Sequence, residues 1–237
     1  MMIRSYQFRL DRSLSSDFAY PMYAALLERA SPEFGSQVHS GAVTPVSQYV
    51  AGDRWQVSVF GEDAISALEP ALAGMDSIFL NRLGKRIGLA RGDITGVDSV
   101  EELLCAPWVD RGNMRLLTPT AFKSGGAYQL LPTQRLVLQS LILKWNGCFG
   151  SVCPIEDEGG GVDALAEGLH YRSVHLDSEN YPMKHTKIPG AVGSIGLDDR
   201  LEGANRQLLN ALLAFGTFSG LGIKTALGMG GMTITTK

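Results

Sequence analysis

The stretch Val46-Ser-Gln-Tyr-Val-Ala-Gly-Asp-Arg-Trp-Gln-Val-Ser-Val-Phe60 reads as two strands around a turn. Val46–Val50 and Trp55–Phe60 are rich in β-branched and aromatic residues, and Ala51-Gly52-Asp53 between them carries turn chemistry. Upstream, Ile3–Leu10 sets Ile3, Ser5, Gln7 and Arg9 against Arg4, Tyr6, Phe8 and Leu10, the period-two pattern of a first strand. Ser13 or Ser15 can cap a helix running to about Arg29, with Phe18, Met22, Ala25 and Leu26 on one face. Downstream, a helix is expected from Glu62 to about Leu80, then a strand over Lys85–Ile94. The order β-α-β-β-α-β is the ferredoxin-like unit.

A second set follows. Met114–Phe122 reads as a strand, Ser124-Gly125-Gly126 as a turn, and Pro132 suits the first turn of a helix that buries Leu136, Leu138, Leu141 and Ile142 and ends near Trp145. Leu169–Asp177 and Gly190–Leu197 read as strands, Leu201–Phe218 as an amphipathic helix and Met232–Thr236 as a last strand. The fold expected is α+β: two tandem ferredoxin-like domains, residues 1–108 and 109–237. A chain of 237 residues suits two such domains of about 100–120 each.

Net charge is −3, so the whole chain is not a basic nucleic-acid binder. The distribution says more. Arg111, Arg115, Lys123, Arg135 and Lys144 stand in a run to Ile155 that has no acid, and Arg82, Lys85, Arg86 and Arg91 form a second basic cluster. A basic face on a mildly acidic protein fits a polyanion. Three cysteines, Cys105, Cys148 and Cys153, without a C-x-x-C pair, argue against a structural zinc site and fit a reducing compartment. His170 and His175, five apart on one expected strand, would point to opposite faces and share no metal. His185, among basic neighbours, reads as a solvated loop residue. With no apolar leader at the start, a soluble, cytoplasmic protein is expected.

The C-terminal run Gly220-Leu-Gly222-Ile-Lys224-Thr-Ala-Leu-Gly228-Met-Gly230-Gly231 carries five glycines, one lysine and no acid. Glycines allow positive φ and close backbone approach, and consecutive N–H groups can cradle an anion. Neither familiar nucleotide loop fits. A Walker loop needs glycine directly before its Lys-Ser/Thr, and Ile223 stands there; a dinucleotide fingerprint needs glycine where Thr225 stands. A surface for a nucleic-acid backbone remains.

The run Phe218–Met232 resembles the glycine-rich signature of CRISPR repeat-processing endoribonucleases, of the repeat-associated RNA-binding superfamily. Leu117-Thr-Pro-Thr-Ala-Phe-Lys123 and Lys187-Ile-Pro-Gly-Ala-Val-Gly-Ser194 are similar to two further segments of that family. The resemblance implies tandem ferredoxin-like domains and cleavage of CRISPR precursor RNA within each repeat. It implies no metal and no cofactor. The partner it implies is CRISPR repeat RNA, with subunits of a CRISPR effector complex as a further class; a monomer and a homodimer both fit. It further implies a catalytic histidine after the first helix, which is His39 in Gln37-Val-His-Ser-Gly41. The family's accompanying lysine has no counterpart before Lys85, which leaves Arg54 as the nearest cation; its tyrosine corresponds to Tyr20 or Tyr23, and Tyr23 is the one selected. RNA contacts are expected from Gly220, Gly222, Lys224, Gly228 and Gly230, joined by Lys123 and Arg115. Such chemistry uses the RNA 2′-OH as nucleophile. Histidine suits either proton role because its ordinary pKa lies near neutrality.

Overall fold

The structure is a computed structural model that describes residues 3–30, 34, 38, 44–107, 111–156, 160–183 and 186–236. It is built on two four-stranded antiparallel sheets. In the first half, β1 (Ile3–Leu14) leads through a short 3₁₀ turn into α1 (Ala19–Leu27). Next come β2 (Val46–Phe60), α2 (Glu62–Ala73), β3 (Ser77–Leu80) and β4 (Lys85–Val97), in the order β2-β1-β4-β3. The expected hairpin is present inside β2. Gly52 takes φ 62°, the Phe60 N–H donates to the Pro45 carbonyl at 2.9 Å, and the Tyr49 hydroxyl donates to Gln56 at 3.0 Å. Its Trp55–Phe60 half lies antiparallel against β1, with Ile3 opposite Phe60.

The second half runs α3 (Val100–Leu104), β5 (Arg111–Thr120), the small hairpin β6 (Phe122–Ser124) and β7 (Ala127–Gln129), α4 (Gln134–Phe149) and α5 (Gly161–Gly168). It closes with β8 (Leu169–Met183), β9 (Thr186–Asp199), α6 (Gly203–Ser219) and β10 (Met232–Thr236). Its sheet order, β10-β5-β9-β8, is that of one ferredoxin-like unit with its first and third strands central.

Several expectations are corrected. The helix over 62–80 stops at Ala73; Gly74 follows, and Ser77–Leu80 becomes an edge strand that buries Ile78 and Leu80 and exposes Phe79. Pro132 precedes the helix rather than opening it, because Thr133 is the N-cap and its hydroxyl accepts from the Leu136 N–H at 3.3 Å. Helix α5 burying Val162 and Leu165 was not expected. The β8–β9 arm is longer than the sequence pattern indicates, since Pro182 lies on the edge strand and Pro189 lies beyond the last β5 pairing at Ala191. A register shift between Tyr171 and Ser173 puts His170 opposite Asp198 and His175 opposite Ser194. The two histidines therefore share a face, not opposite ones, but four strand positions separate them by roughly 13 Å, too far for one ion.

The two cores interlock. Trp145, Phe149 and Phe215 pack with ring centroids 4.8–5.6 Å apart in the second core, and Phe60 from the first sheet joins Phe215 at 6.0 Å. Ile3 lies in that second core as well, as do Val100 and Leu103 of α3, ahead of the junction expected at residue 108. In return Ala226 and Leu227, from the glycine-rich segment, pack against the first core. The glycine-rich segment is thus the seam between the halves. Among the described residues no helix is long and apolar enough to cross a membrane.

Candidate nucleic-acid interface

Glycine chemistry explains how the seam is built. Helix α6 ends at Ser219, and the chain doubles back with the Leu221 N–H on the Gly230 carbonyl at 2.8 Å. The Gly230 N–H donates to Pro119 at 3.1 Å, the Ile223 N–H to Ala121 at 2.9 Å, and the Gly231 N–H to the Thr118 hydroxyl at 2.8 Å. At Gly228, φ is 106° and a β-carbon would stand 2.2 Å from that of Ala19 on α1, so only glycine admits the first helix there. The Gln48 amide nitrogen donates to both Ala19 and Ala226 at 3.0 Å, with its oxygen held by the Trp55 indole N–H at 2.9 Å. A buried amide bridge therefore ties the hairpin, α1 and the seam together.

This arrangement narrows the expected RNA contacts. Gly220, Gly228 and Gly230 are buried, and their neighbours are protein. Gly222 is half-buried and reaches the surface, but its N–H already donates to the Ser140 hydroxyl at 2.8 Å. The close approach legible in the glycines is taken up by the protein itself: Ala19 of the first half at Gly228, and Ala121 and Leu221 of the second half at Gly222 and Gly230. Gly222→Val illustrates the consequence: its β-carbon would fall 2.2 Å from the Ala121 carbonyl oxygen at φ 76°. The variant is expected to lower the melting temperature outright, rather than to block a ligand from a folded surface. A melting curve like wild type would contradict this.

What the seam presents to solvent is Lys224. It holds φ 58°, a left-handed conformation rare outside glycine, and its carbonyl accepts from Leu227 at 2.9 Å and Met229 at 3.3 Å. The side chain is exposed at the rim of a cleft of ≈ 640 Å³ between the two halves. Lys123 from β6 and Lys144 from α4 also line this cleft, and no described lining residue is acidic. Tyr23 of α1 lines it too; its buried hydroxyl has no hydrogen-bond partner among the described residues, and burial pushes its pKa up to about 12. Tyr23 is therefore a proton-bearing donor at neutral pH and not a base.

The remaining candidates are placed as follows. His39 lies outside the described residues, as does His185; Val38 and Thr44, on either side of residues 39–43, both line the cleft. Arg54 is exposed beside the Gly52 turn and is not among the cleft's described lining residues. Arg115 is exposed on β5 opposite Thr233 and Ser194, likewise away from the cleft, and Tyr20 does not line it. Lys144 belonged to the basic run but was not singled out. The signal was available: Val137, Leu141, Lys144 and Cys148 follow a 4-3-4 spacing, which sets a lysine on the apolar face of its helix.

Comparison with known proteins agrees with this geometry. The family described as CRISPR-associated endoribonuclease Cas6 matches residues 114–232. The CRISPR-associated endoribonuclease Cas6 of Streptococcus thermophilus is 26% identical over 230 residues, covering 93% of this chain and 92% of that protein. That of Mycobacterium tuberculosis is 25% identical over 237 residues, covering 95% of this chain and 74% of that protein. A Cas6 solved as a product complex superposes with a TM-score of 0.78 at 21% identity over 100% of both chains, which establishes the tandem ferredoxin-like fold. The cationic cleft, the glycine seam and the paired sheets are thus those of a protein that belongs to the CRISPR-associated endoribonuclease Cas6 family.

Proposed function

We propose that this chain cuts CRISPR precursor RNA within its repeats, by attack of an RNA 2′-OH on the adjacent phosphorus. The products are a 2′,3′-cyclic phosphate and a 5′-OH end, and no metal takes part. The observation that carries the reading is the cleft between the halves, with three lysines, no acid among its described lining residues, and a tyrosine hydroxyl that has no partner among the described residues. Such a lining suits a phosphodiester, whose charge grows in the phosphorane-like transition state. His39, next in sequence to the cleft residue Val38, takes the proton of the 2′-OH or supplies one to the leaving 5′ oxygen. Tyr23 donates a hydrogen bond to a phosphate oxygen. The similarity to Cas6 endoribonucleases over nearly the whole chain supports the same reading.

Incubation with repeat RNA in excess chelator tests it. Cutting at one position in each repeat is the expected result; intact, tightly bound RNA would instead make the chain a non-cleaving subunit of an effector complex. Lys224 and Lys123 hold the RNA backbone near the rim. Lys224→Ala is therefore expected to flatten the salt dependence of RNA binding by about one charge while single-turnover cleavage at saturating RNA stays near wild type. An unchanged salt slope would remove Lys224 from the interface.

A further inference from the structure

Lys144 is a cation without a counter-ion among the described residues. It projects from α4 into the wall of the cleft, where its ammonium donates to the Ser219 carbonyl at 3.2 Å and the Thr225 hydroxyl at 2.8 Å. Both acceptors are neutral, and an ammonium has a third hydrogen to give. The described titratable groups that line the cleft with it are Cys148 one turn along α4, Tyr23 from α1, Lys123 and Tyr128 from the β6–β7 hairpin, and Lys224 from the seam. None is a carboxylate. The residue as a whole is partly exposed, but the surroundings of its ammonium are enclosed, and this burial pushes its pKa down to about 7. Burial also pushes Cys148 up to about 11, so the thiol supplies no charge near neutrality.

A buried, hydrogen-bonded cation with no partner is costly to hold and is relieved by an anion. We infer that Lys144 is a phosphate-binding residue of the cleft, and that seating a phosphodiester of the RNA between it and the Ser219–Thr225 turn restores its charge, so that RNA binding takes up a proton. The inference rests on the reading of the ligand as RNA and adds to it a named contact and a pH response. A lysine that merely braced the turn through its two hydrogen bonds would keep the same protonation in the free and bound states. Lys144 instead acts as a proton-loaded clamp: below pH 7 it is already charged, and above pH 7 it draws a proton from the buffer as the RNA binds. Binding is therefore tightest at low pH and weakens as pH rises through and beyond 7, by up to about tenfold per unit.

The test is calorimetry of repeat RNA binding in buffers of different ionisation enthalpy, at pH 6 and pH 8. The full chain carrying His39→Ala is used, so that the RNA stays intact and the histidine cannot contribute protons. Uptake of about 0.9 proton at pH 8 and about 0.1 at pH 6 is expected. Adding Lys144→Met should abolish the pH 8 uptake, whereas adding Lys224→Ala should leave it. Lys144→Arg, charged at every pH, should bind nearly as well at pH 9 as at pH 6; this variant serves if the methionine does not fold. Failure of the chain to bind repeat RNA overturns the RNA reading and the inference together. Binding with no proton uptake, or uptake that survives Lys144→Met or Lys144→Arg, overturns the assignment of Lys144 alone.

Discussion

Replacing His39 with alanine is expected to slow cleavage of repeat RNA by at least about two orders of magnitude while leaving affinity for the repeat nearly intact. A proton-transfer group acts where charge moves, in the transition state, and contributes little to holding the substrate in the ground state. The lysines on the cleft wall would still grip the backbone in this variant. Loss of rate without loss of binding separates a catalytic histidine from one with a purely structural role. Single-turnover cleavage near the wild-type rate would move the proton transfer to another residue.

The second large effect is on the substrate side. A repeat RNA with one 2′-deoxy nucleotide immediately upstream of the scissile phosphate should bind as the unmodified RNA does and remain uncut. Only the nucleophile has been removed. The cleft contacts assigned to Tyr23, Lys123, Lys144 and Lys224 are to phosphate oxygens, which the deoxy nucleotide keeps. Cleavage of that RNA at the modified position would require attack by water and would overturn the chemistry proposed, whatever the affinity.

Both ferredoxin-like units were legible where strand and helix periods were long. Val46–Phe60 declared its hairpin through β-branched residues on either side of Gly52, and Met232–Thr236 its strand through alternation. Short or polar edges were not. Ser77–Leu80 has only Ile78 and Leu80 to mark it and follows a helical pattern that runs straight through Pro70. The outer arm of β8–β9 is exposed along β8 and carries Pro182 and Pro189, which read as breakers until the sheet edge is known. The site shows a different limit. The glycines of the C-terminal run report that something approaches the backbone closely, but not what does; at Gly228 it is Ala19 of the protein's own first helix. Which cations line the cleft was equally invisible. Arg54 and Arg115 looked like Lys123 and Lys224 in the sequence, and only the packing of the two halves separates cleft from outer face. Lys144 shows the reverse case, a cation whose helical spacing marked it as inward-facing although it was counted with the basic surface.

The most direct test of the central claim is the mass of the RNA ends. Repeat RNA digested to completion in excess EDTA should yield an upstream fragment with a 2′,3′-cyclic phosphate and a downstream fragment with a 5′-OH. A 3′-OH paired with a 5′-phosphate, or cutting that appears only when Mg²⁺ is restored, would contradict it.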